Sequence, residues 1–312
     1  MKTEAVVIQE PQKIHLRELS LDVMGADDVT VEIEYSGIST GTEKLIWSGK
    51  MPHFPGMGYP LVPGYESVGR VTHRGENTTL AIGQQVFVPG ANCYGEVKGL
   101  FGGASSHVVV PQVRLTPIDE ELGMQGTLLA LAATAYHVTQ GREDQQPDLI
   151  IGHGVVGRLL ARIAVAKGKT PIVWETNPIR MQGALGYQVV NPQDDDRHDY
   201  GVICDASGDV GLINTLVTRI RKQGEIVLAG FYDQPISFMF APAFMREMKM
   251  RIAAQWLPTD LQEVHALIQS KQISLDGLIT HTSFATDADK AYTTAFTEMQ
   301  CLKMILNWRH QA

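Results

Sequence analysis

The sequence predicts an α/β chain of two domains. A β-rich part comes first, a doubly wound parallel sheet follows, and the last segment returns to the first domain. Three observations predict it. Short strand patterns separated by proline and glycine turns fill the first third of the chain. From residue 149 onward, apolar strands alternate with helical patterns. The first of those strands runs straight into the glycine-rich turn Gly152-His153-Gly154-Val155-Val156-Gly157.

Residues 5–8, 29–35, 67–72, 85–88 and 107–110 read as strands, because β-branched and apolar residues recur there between turn formers. Prolines and glycines cluster between residues 52 and 64. This part reads as a barrel or sandwich whose loops border a cleft. Residues 124–140 turn alanine- and leucine-rich and read as a helix. The order is then strand 149–151, helix 155–167, strands 171–174 and 202–205, helix 211–221 and strand 225–229. In the first of these helices Val156, Leu159, Leu160, Ile163 and Ala164 recur at helical spacing and mark a core face. Residues 248–254 read as the last strand of the sheet, 261–269 as a helix and 302–306 as a final strand. The expected boundaries are 1–125 with 258–312 for the first domain and 126–257 for the second.

The glycine turn has the chemistry of a dinucleotide site, a Rossmann unit. Gly152 allows the tight turn, Gly154 lets backbone approach a pyrophosphate, and Gly157 lets the helix lie close on its strand. The helix start at Val155 and Val156 offers N–H groups to phosphate, and His153 is expected to reach that region through its backbone. Glu175 ends the next strand, 175 − 152 = 23 residues after the first glycine, where an acid accepts hydrogen bonds from the adenosine ribose. A carboxylate there repels a 2′-phosphate, which favours NAD over NADP; Arg180 just downstream argues the other way. Gly230 follows strand 225–229 at the carboxyl edge of the expected sheet, where ligands bind.

Composition excludes several classes. The 312 residues carry 26 Lys and Arg against 34 Asp and Glu, a formal charge of −8, with no basic run. Binding to nucleic-acid phosphates is therefore not expected. No apolar stretch reaches the length of a membrane span, and the first residues lack the apolar core of a signal peptide. Three well-separated cysteines, Cys93, Cys204 and Cys301, fit a reducing cytoplasm better than a disulfide framework.

Several strings then resemble the medium-chain dehydrogenase/reductase superfamily. Pro63-Gly64-Tyr65-Glu66 stands where its zinc alcohol dehydrogenases carry Gly-His-Glu. Gly83-Gln84-Gln85-Val86, Gly102-Gly103-Ala104-Ser105 and Leu278-Ile279-Thr280-His281 are also similar to its motifs. Longer strings resemble the hydroxyethyl bacteriochlorophyllide dehydrogenase family of bacteriochlorophyll synthesis over nearly the whole chain. They are Ser36-Gly37-Ile38-Ser39-Thr40-Gly41-Thr42-Glu43-Lys44-Leu45, Phe54-Pro55-Gly56-Met57-Gly58-Tyr59-Pro60-Leu61-Val62-Pro63-Gly64-Tyr65-Glu66-Ser67, Cys93-Tyr94-Gly95, Gly99-Leu100-Phe101-Gly102-Gly103-Ala104, Ala254-Gln255-Trp256 and Cys301-Leu302-Lys303-Met304-Ile305-Leu306. The resemblance implies a GroES-like first domain and an NAD-dependent oxidation of a hydroxyethyl group on a chlorin to an acetyl group. It also implies a homodimer paired through residues 238–244 and the strand after them. A quinone or enone reductase of the same superfamily, and a non-catalytic NAD-binding sensor, are the alternatives.

Against its zinc-containing relatives the chain has lost the metal ligands. The cysteine position falls on Ser39 or Thr40 and the histidine position on Tyr65, and no third ligand stands out near 131–137. Hydroxyls are poor substitutes for thiolate and imidazole, so no metal is expected. A base or relay must then take the alcohol's proton. Tyr65 is the first choice, helped by a nearby cation such as Lys44, since a free tyrosine loses its proton only near pH 10. Thr40 and Thr42 are relay candidates, and Glu66 is expected to position Tyr65 or the loop before Glu43. A large flat substrate calls for an apolar cleft; His53, Tyr59, Tyr94, His137 and Trp256 are the expected contacts, with Trp47, Phe54, Met57 and Phe101 as further lining.

Overall fold

In the computed structural model, residues 1–53, 56–141, 146–253 and 255–309 are described. Phe54 and Ala254, both in the substrate-side strings, lie outside the described residues. Contacts divide the chain into one unit of Met1–Ala130 with Leu278–Ala312 and another of Leu131–Gly277. Residues 258–277, expected with the first domain, therefore fall in the second unit.

The first unit is built on β3 (Asp28–Ile38), a long strand whose valines and isoleucines are buried. Before it come β1 (Lys2–Glu10) and β2 (Lys13–Ser20), an antiparallel pair. After it come α1 (Thr42–Ser48), β4 (Leu61–Val62), β5 (Ser67–Arg74), β6 (Gln85–Val88), β7 (Lys98–Gly99), β8 (His107–Pro111) and β9 (Thr116–Pro117). Strands β2, β1, β4 and β7 form a four-stranded sheet. In the larger sheet β5 pairs antiparallel with β3, with Ser36 opposite Ser67. Val6, Ile8, Ile33, Val86 and Leu306 are among the fully buried side chains of this unit's core. Burying such side chains contributes roughly 1.5–3 kcal/mol each.

Where the first unit gives way to the second, the expected helix 124–140 is only partly α-helical. Residues 120–128 form 3-10 turns, and α2 runs over Leu129–Val138. The parallel sheet has β10 (Leu149–Ile151), β11 (Ile172–Trp174), β12 (Gln188–Val190), β13 (Tyr200–Asp205), β14 (Ile220–Leu228) and β15 (Lys249–Ile252), in the order β12-β11-β10-β13-β14-β15. Every residue of β13 is buried, as a central parallel strand covered on both faces requires. Helix α3 (Val155–Ala166) follows β10, α4 (Ile213–Arg219) follows β13, and α5 (Phe240–Met245) follows β14. Ile220 and Arg221, expected at a helix end, already belong to β14. The crossover from β11 to β12 consists of turns and bends, so one helix of a doubly wound sheet is missing. Helix α6 (Pro258–Gln269) completes the unit.

The chain then returns to the first unit as β16 (His281–Phe284), α7 (Ala288–Thr297) and β17 (Met304–Asn307). Strand β17 pairs antiparallel with β3, placing Met304 opposite Ile38. The end of β3, the start of β5 and the start of β17 therefore meet at one edge.

The glycine turn shows why its residue types are required. Gly152 has φ +91°, which side chains resist. A Cβ on Gly157 would stand 1.9 Å from the Gly152 carbonyl oxygen, which is backbone and cannot swing away. Gly157→Ala is expected to lower the unfolding free energy by about 1–3 kcal/mol, measured by denaturant titration. Wild-type stability in that variant would contradict so close an approach.

Candidate active site

Three strand ends deliver four side chains to one place. Ser39 follows β3, Tyr65 and Glu66 precede β5, and Lys303 precedes β17. The Ser39 Oγ lies 2.6 Å from the Tyr65 hydroxyl oxygen. Thr42, opening α1, adds its hydroxyl to the same phenol. Beneath them Glu66 and Lys303 form an ion pair, 0% and 1% exposed. Lys303 Nζ also donates to the Ile38 carbonyl at 3.0 Å. The Glu66 carbonyl accepts from the Gly37 N–H at 2.7 Å. Glu43 is buried beside this pair, and its Oε2 accepts from the Tyr292 hydroxyl at 3.1 Å.

The electrostatics follow from one ammonium facing two buried carboxyls. Burial, then repulsion by Glu66, pushes Glu43 up to about 8, with Lys303, Tyr292 and the Ser39 N–H pulling the other way. Burial also raises Glu66, opposed by Lys303. Burial and the charge of Glu66 push Tyr65 well above its ordinary 10.0. This corrects the expectation that a cation makes Tyr65 a base. Lys44 is exposed, the buried cation belongs to Glu66, and Tyr65 stays a neutral phenol. Of the two residues at the cysteine position, Ser39 is buried against Tyr65, whereas Thr40 is exposed. The Glu66 carboxylate pairs with Lys303, whose Nζ donates to the Ile38 carbonyl just ahead of Ser39.

The expected substrate contacts divide between the two units. Tyr94 is 4% exposed and its hydroxyl meets the Ser105 Oγ at 2.8 Å, so it is a core residue and not a contact. The Tyr59 hydroxyl is engaged by the Ile46 carbonyl. His53 is exposed in its loop. His137 holds Asp260 through Nδ1 at 2.8 Å, and Trp256 is half-buried between β15 and α6, both in the second unit. The Trp47 ring meets Phe296 at a tilt of 51°, and Met57 packs on the first unit's core. Phe101 is 38% exposed and sets its ring edge-on to Tyr65, with centroids 5.3 Å apart. It is an apolar wall beside the hydroxyls.

At the glycine turn, α3 starts without a side-chain cap, and a Cβ on Gly154 would meet nothing within 4 Å. Uncapped N–H groups beside open space fit a pyrophosphate. Val155 is buried and Val156 half-buried at this start. Glu175 is fixed by three backbone donors: His153 at 3.0 Å, Thr176 at 2.9 Å and Asn177 at 2.8 Å. The His153 N–H thus serves Glu175 and not a phosphate, a correction to the expected role. The His153 ring is buried between the Arg180 carbonyl, 2.6 Å from Nδ1, and the Tyr187 hydroxyl, 2.8 Å from Nε2. A carbonyl only accepts, so Nδ1 carries the proton and Tyr187 donates. Burial pushes this histidine down to about 4 and keeps it neutral. Arg158 donates to the His153, Arg180 and Gln182 carbonyls, so the helix-free crossover is tied to the glycine turn. Gly230 donates its N–H to the Asp205 carbonyl at 2.9 Å, at the carboxyl edge of the sheet.

Sequence reasoning missed Glu43, Lys303 and Tyr292 as site residues. Lys303 had a signal, as a lone charge in the apolar string Leu302-Lys303-Met304-Ile305-Leu306. Among the described residues, no group of three or more His, Cys, Asp or Glu side chains is placed to hold a metal ion.

Comparison with known proteins agrees with this architecture. Residues 25–120 match the alcohol dehydrogenase GroES-like domain. The chain is 55% identical to the 2-desacetyl-2-hydroxyethyl bacteriochlorophyllide A dehydrogenase of Rhodobacter capsulatus over 99% of both chains. It is 52% identical to the Cereibacter sphaeroides protein of the same name over 100% of both. Among solved structures, the short chain alcohol dehydrogenase of Escherichia coli CFT073, complexed with NADH, has the same fold. It superposes with a TM-score of 0.84 at 21% identity, covering 98% of this chain and 99% of that one.

The hydroxyl pair depends on the ion pair below it. A Cβ on Gly37 would stand 2.6 Å from Glu66 Oε2 and 3.0 Å from Lys303 Cε, both fully buried. Gly37→Ala is expected to cost about 1–3 kcal/mol, read by thermal or denaturant unfolding. Unchanged stability would show that the pair is loosely held.

Proposed function

We propose that this chain, which belongs to the bacteriochlorophyllide dehydrogenase family of GroES-like alcohol dehydrogenases, oxidises the hydroxyethyl side chain of a bacteriochlorophyllide to an acetyl group. The reaction uses NAD and no zinc. One observation carries the mechanism: the 2.6 Å contact between the Ser39 and Tyr65 hydroxyls at the positions of a thiolate and an imidazole ligand. Full-length identity of 52–55% to two dehydrogenases of that name supports the substrate.

The residues divide the work simply. Tyr65 and Ser39 accept the substrate's O–H, and Thr42, half-buried at the start of α1, passes the proton on to solvent water. Because Tyr65 stays neutral, it takes one proton as it releases another, and no phenolate forms. When bound, a nicotinamide dinucleotide would supply the acceptor for the hydride of the carbinol carbon. Gly154 and the start of α3 hold its pyrophosphate, and Glu175 accepts the adenosine ribose hydroxyls while repelling a 2′-phosphate. Phe101 offers the macrocycle an apolar wall. Hydroxyls in the ligand positions support zinc independence, since oxygen of this kind binds Zn2+ weakly. Three buried free cysteines fit a reducing cytoplasm, and no helix among the described residues is long and apolar enough to cross a membrane.

The test is turnover. Purified protein with NAD+ and a hydroxyethyl chlorin is expected to shift the pigment's absorption band, and NADP+ to serve less well. Tyr65→Phe is expected to lower kcat/KM by about a hundredfold or more with NAD affinity unchanged. Turnover of a small quinone with NADPH, and of no chlorin, would overturn this reading in favour of the reductase.

The second unit also leaves an apolar surface at the sheet edge. Phe240, Phe244 and Met245 on α5 are 71%, 64% and 71% exposed, and Ile252 on β15 is 73% exposed. Strand β15 ends the sheet order, so its outer edge is open. A second copy of the chain would pair the two edges and cover these side chains. Light scattering is expected to show a dimer in the wild type and a monomer in Ile252→Asp; a monomeric wild type would contradict the pairing.

A further inference from the structure

The reaction above uses Ser39, Tyr65 and Thr42, and leaves a buried charged cluster beneath them unexplained. Burying carboxyls and an ammonium costs several kcal/mol per ion before pairing. The partners of this cluster show one shared target. Lys303 Nζ donates to the Ile38 carbonyl at 3.0 Å. Glu43 is fully buried four residues after Ser39, makes no hydrogen bond to the Ser39 N–H, and has its ionised form favoured by that N–H. That carbonyl and that N–H belong to a single peptide group, the one that carries Ser39. Glu43 Oε1 has no hydrogen-bond partner among the described residues, so the Ser39 N–H reaches the carboxyl too loosely to satisfy it.

We propose that Glu43 and Lys303 are positioning residues, which grip the Ile38–Ser39 peptide from opposite ends and hold the Ser39 hydroxyl against Tyr65, and that the grip tightens when Glu43 gives up its proton. An ionised acceptor makes the stronger hydrogen bond to a backbone N–H. The groups that face Glu43 are Tyr292 from α7, Glu66 ahead of β5, Lys303 ahead of β17 and Tyr65. Two carboxyls share one ammonium, so the neutral cluster is the one with Glu43 protonated. Burial and the charge of Glu66 push the Glu43 carboxyl up to about 8, in the direction of that count. The proposal rests on reading the Ser39–Tyr65 pair as the path of the substrate's proton.

Two measurements test it. The first is the pH profile of kcat/KM for alcohol oxidation in the wild type, Glu43→Gln and Lys303→Met. The wild type is expected to rise through pH about 8. Glu43→Gln should lose that rise and fall below the wild type by roughly tenfold on the alkaline side, in a site where 1 Å of misplacement costs about a hundredfold. Lys303→Met, which lets go of the Ile38 carbonyl, should fall below the wild type by roughly tenfold at every pH. A Glu43→Gln profile that keeps the wild-type rise, or a Lys303→Met profile equal to that of the wild type, overturns the proposal.

The second is infrared difference spectroscopy on the protein alone. A protonated-carboxyl C=O band absent from Glu43→Gln should vanish as pH rises through about 8. A Glu43 already ionised at neutral pH overturns the proposal. No substrate is involved, so this result stands even where no chlorin is turned over, and the two failures are distinct. Where Glu43→Gln does not fold, the Lys303→Met profile and the presence or absence of a wild-type rise through pH about 8 decide.

Discussion

The first unit depends on a buried ion pair between Glu66 and Lys303. Three strands bring it about: β3 lies between β5 and β17, and the ends of all three coincide. Chain segments more than two hundred residues apart therefore meet at two charges with almost no access to water. Removing one member of such a pair leaves an uncompensated buried charge and costs about 3–5 kcal/mol. The absence of a Cβ at Gly37 makes the room, and the Gly37 N–H donates to the Glu66 carbonyl. The C-terminal strand thus completes the site as well as the sheet.

The same pair sets the chemistry above it. A metal ion would stabilise an alkoxide by direct coordination. Here the nearest cation is already neutralised by Glu66, and Tyr65 is held uncharged by burial and by the carboxylate next to it in sequence. Proton transfer through neutral hydroxyls is what such surroundings permit. The second unit solves a different problem with similar means. Its helix-free crossover is secured by His153, Arg158 and Tyr187, whose buried polar groups all reach a hydrogen-bond partner. That fixes the segment following Glu175 without the usual helix.

Much of the fold was legible in the sequence. The alternating pattern of β3 and the glycine turn after β10 declare themselves through residue types that only one backbone conformation accommodates. Strand β2, helix α1 and helix α7 were not read, because their patterns are short or mix threonine, alanine and charge, as in Ala288–Thr297. Gly157 carries the meaning its motif suggested, because packing against the Gly152 carbonyl is local. Site partners are harder. Tyr65 and Ser39 stand in recognisable strings, but their mutual contact spans 26 residues. Lys303 and Glu43 reach the site only through strand order and helix packing, which no local window contains. Tyr94 misled because an aromatic residue in a loop string looks the same whether it lines a cleft or fills a core.

The central claim is the proposal that hydroxyls over a buried ion pair carry this oxidation, at the positions where the zinc alcohol dehydrogenases that the sequence resembles hold a metal. Zinc content and turnover measured on the same chelator-treated, dialysed sample test it most directly. The account predicts undiminished NAD-dependent oxidation of the chlorin alcohol with zinc far below one per chain. Turnover that falls in proportion to the zinc removed, and returns when zinc is added back, would contradict it.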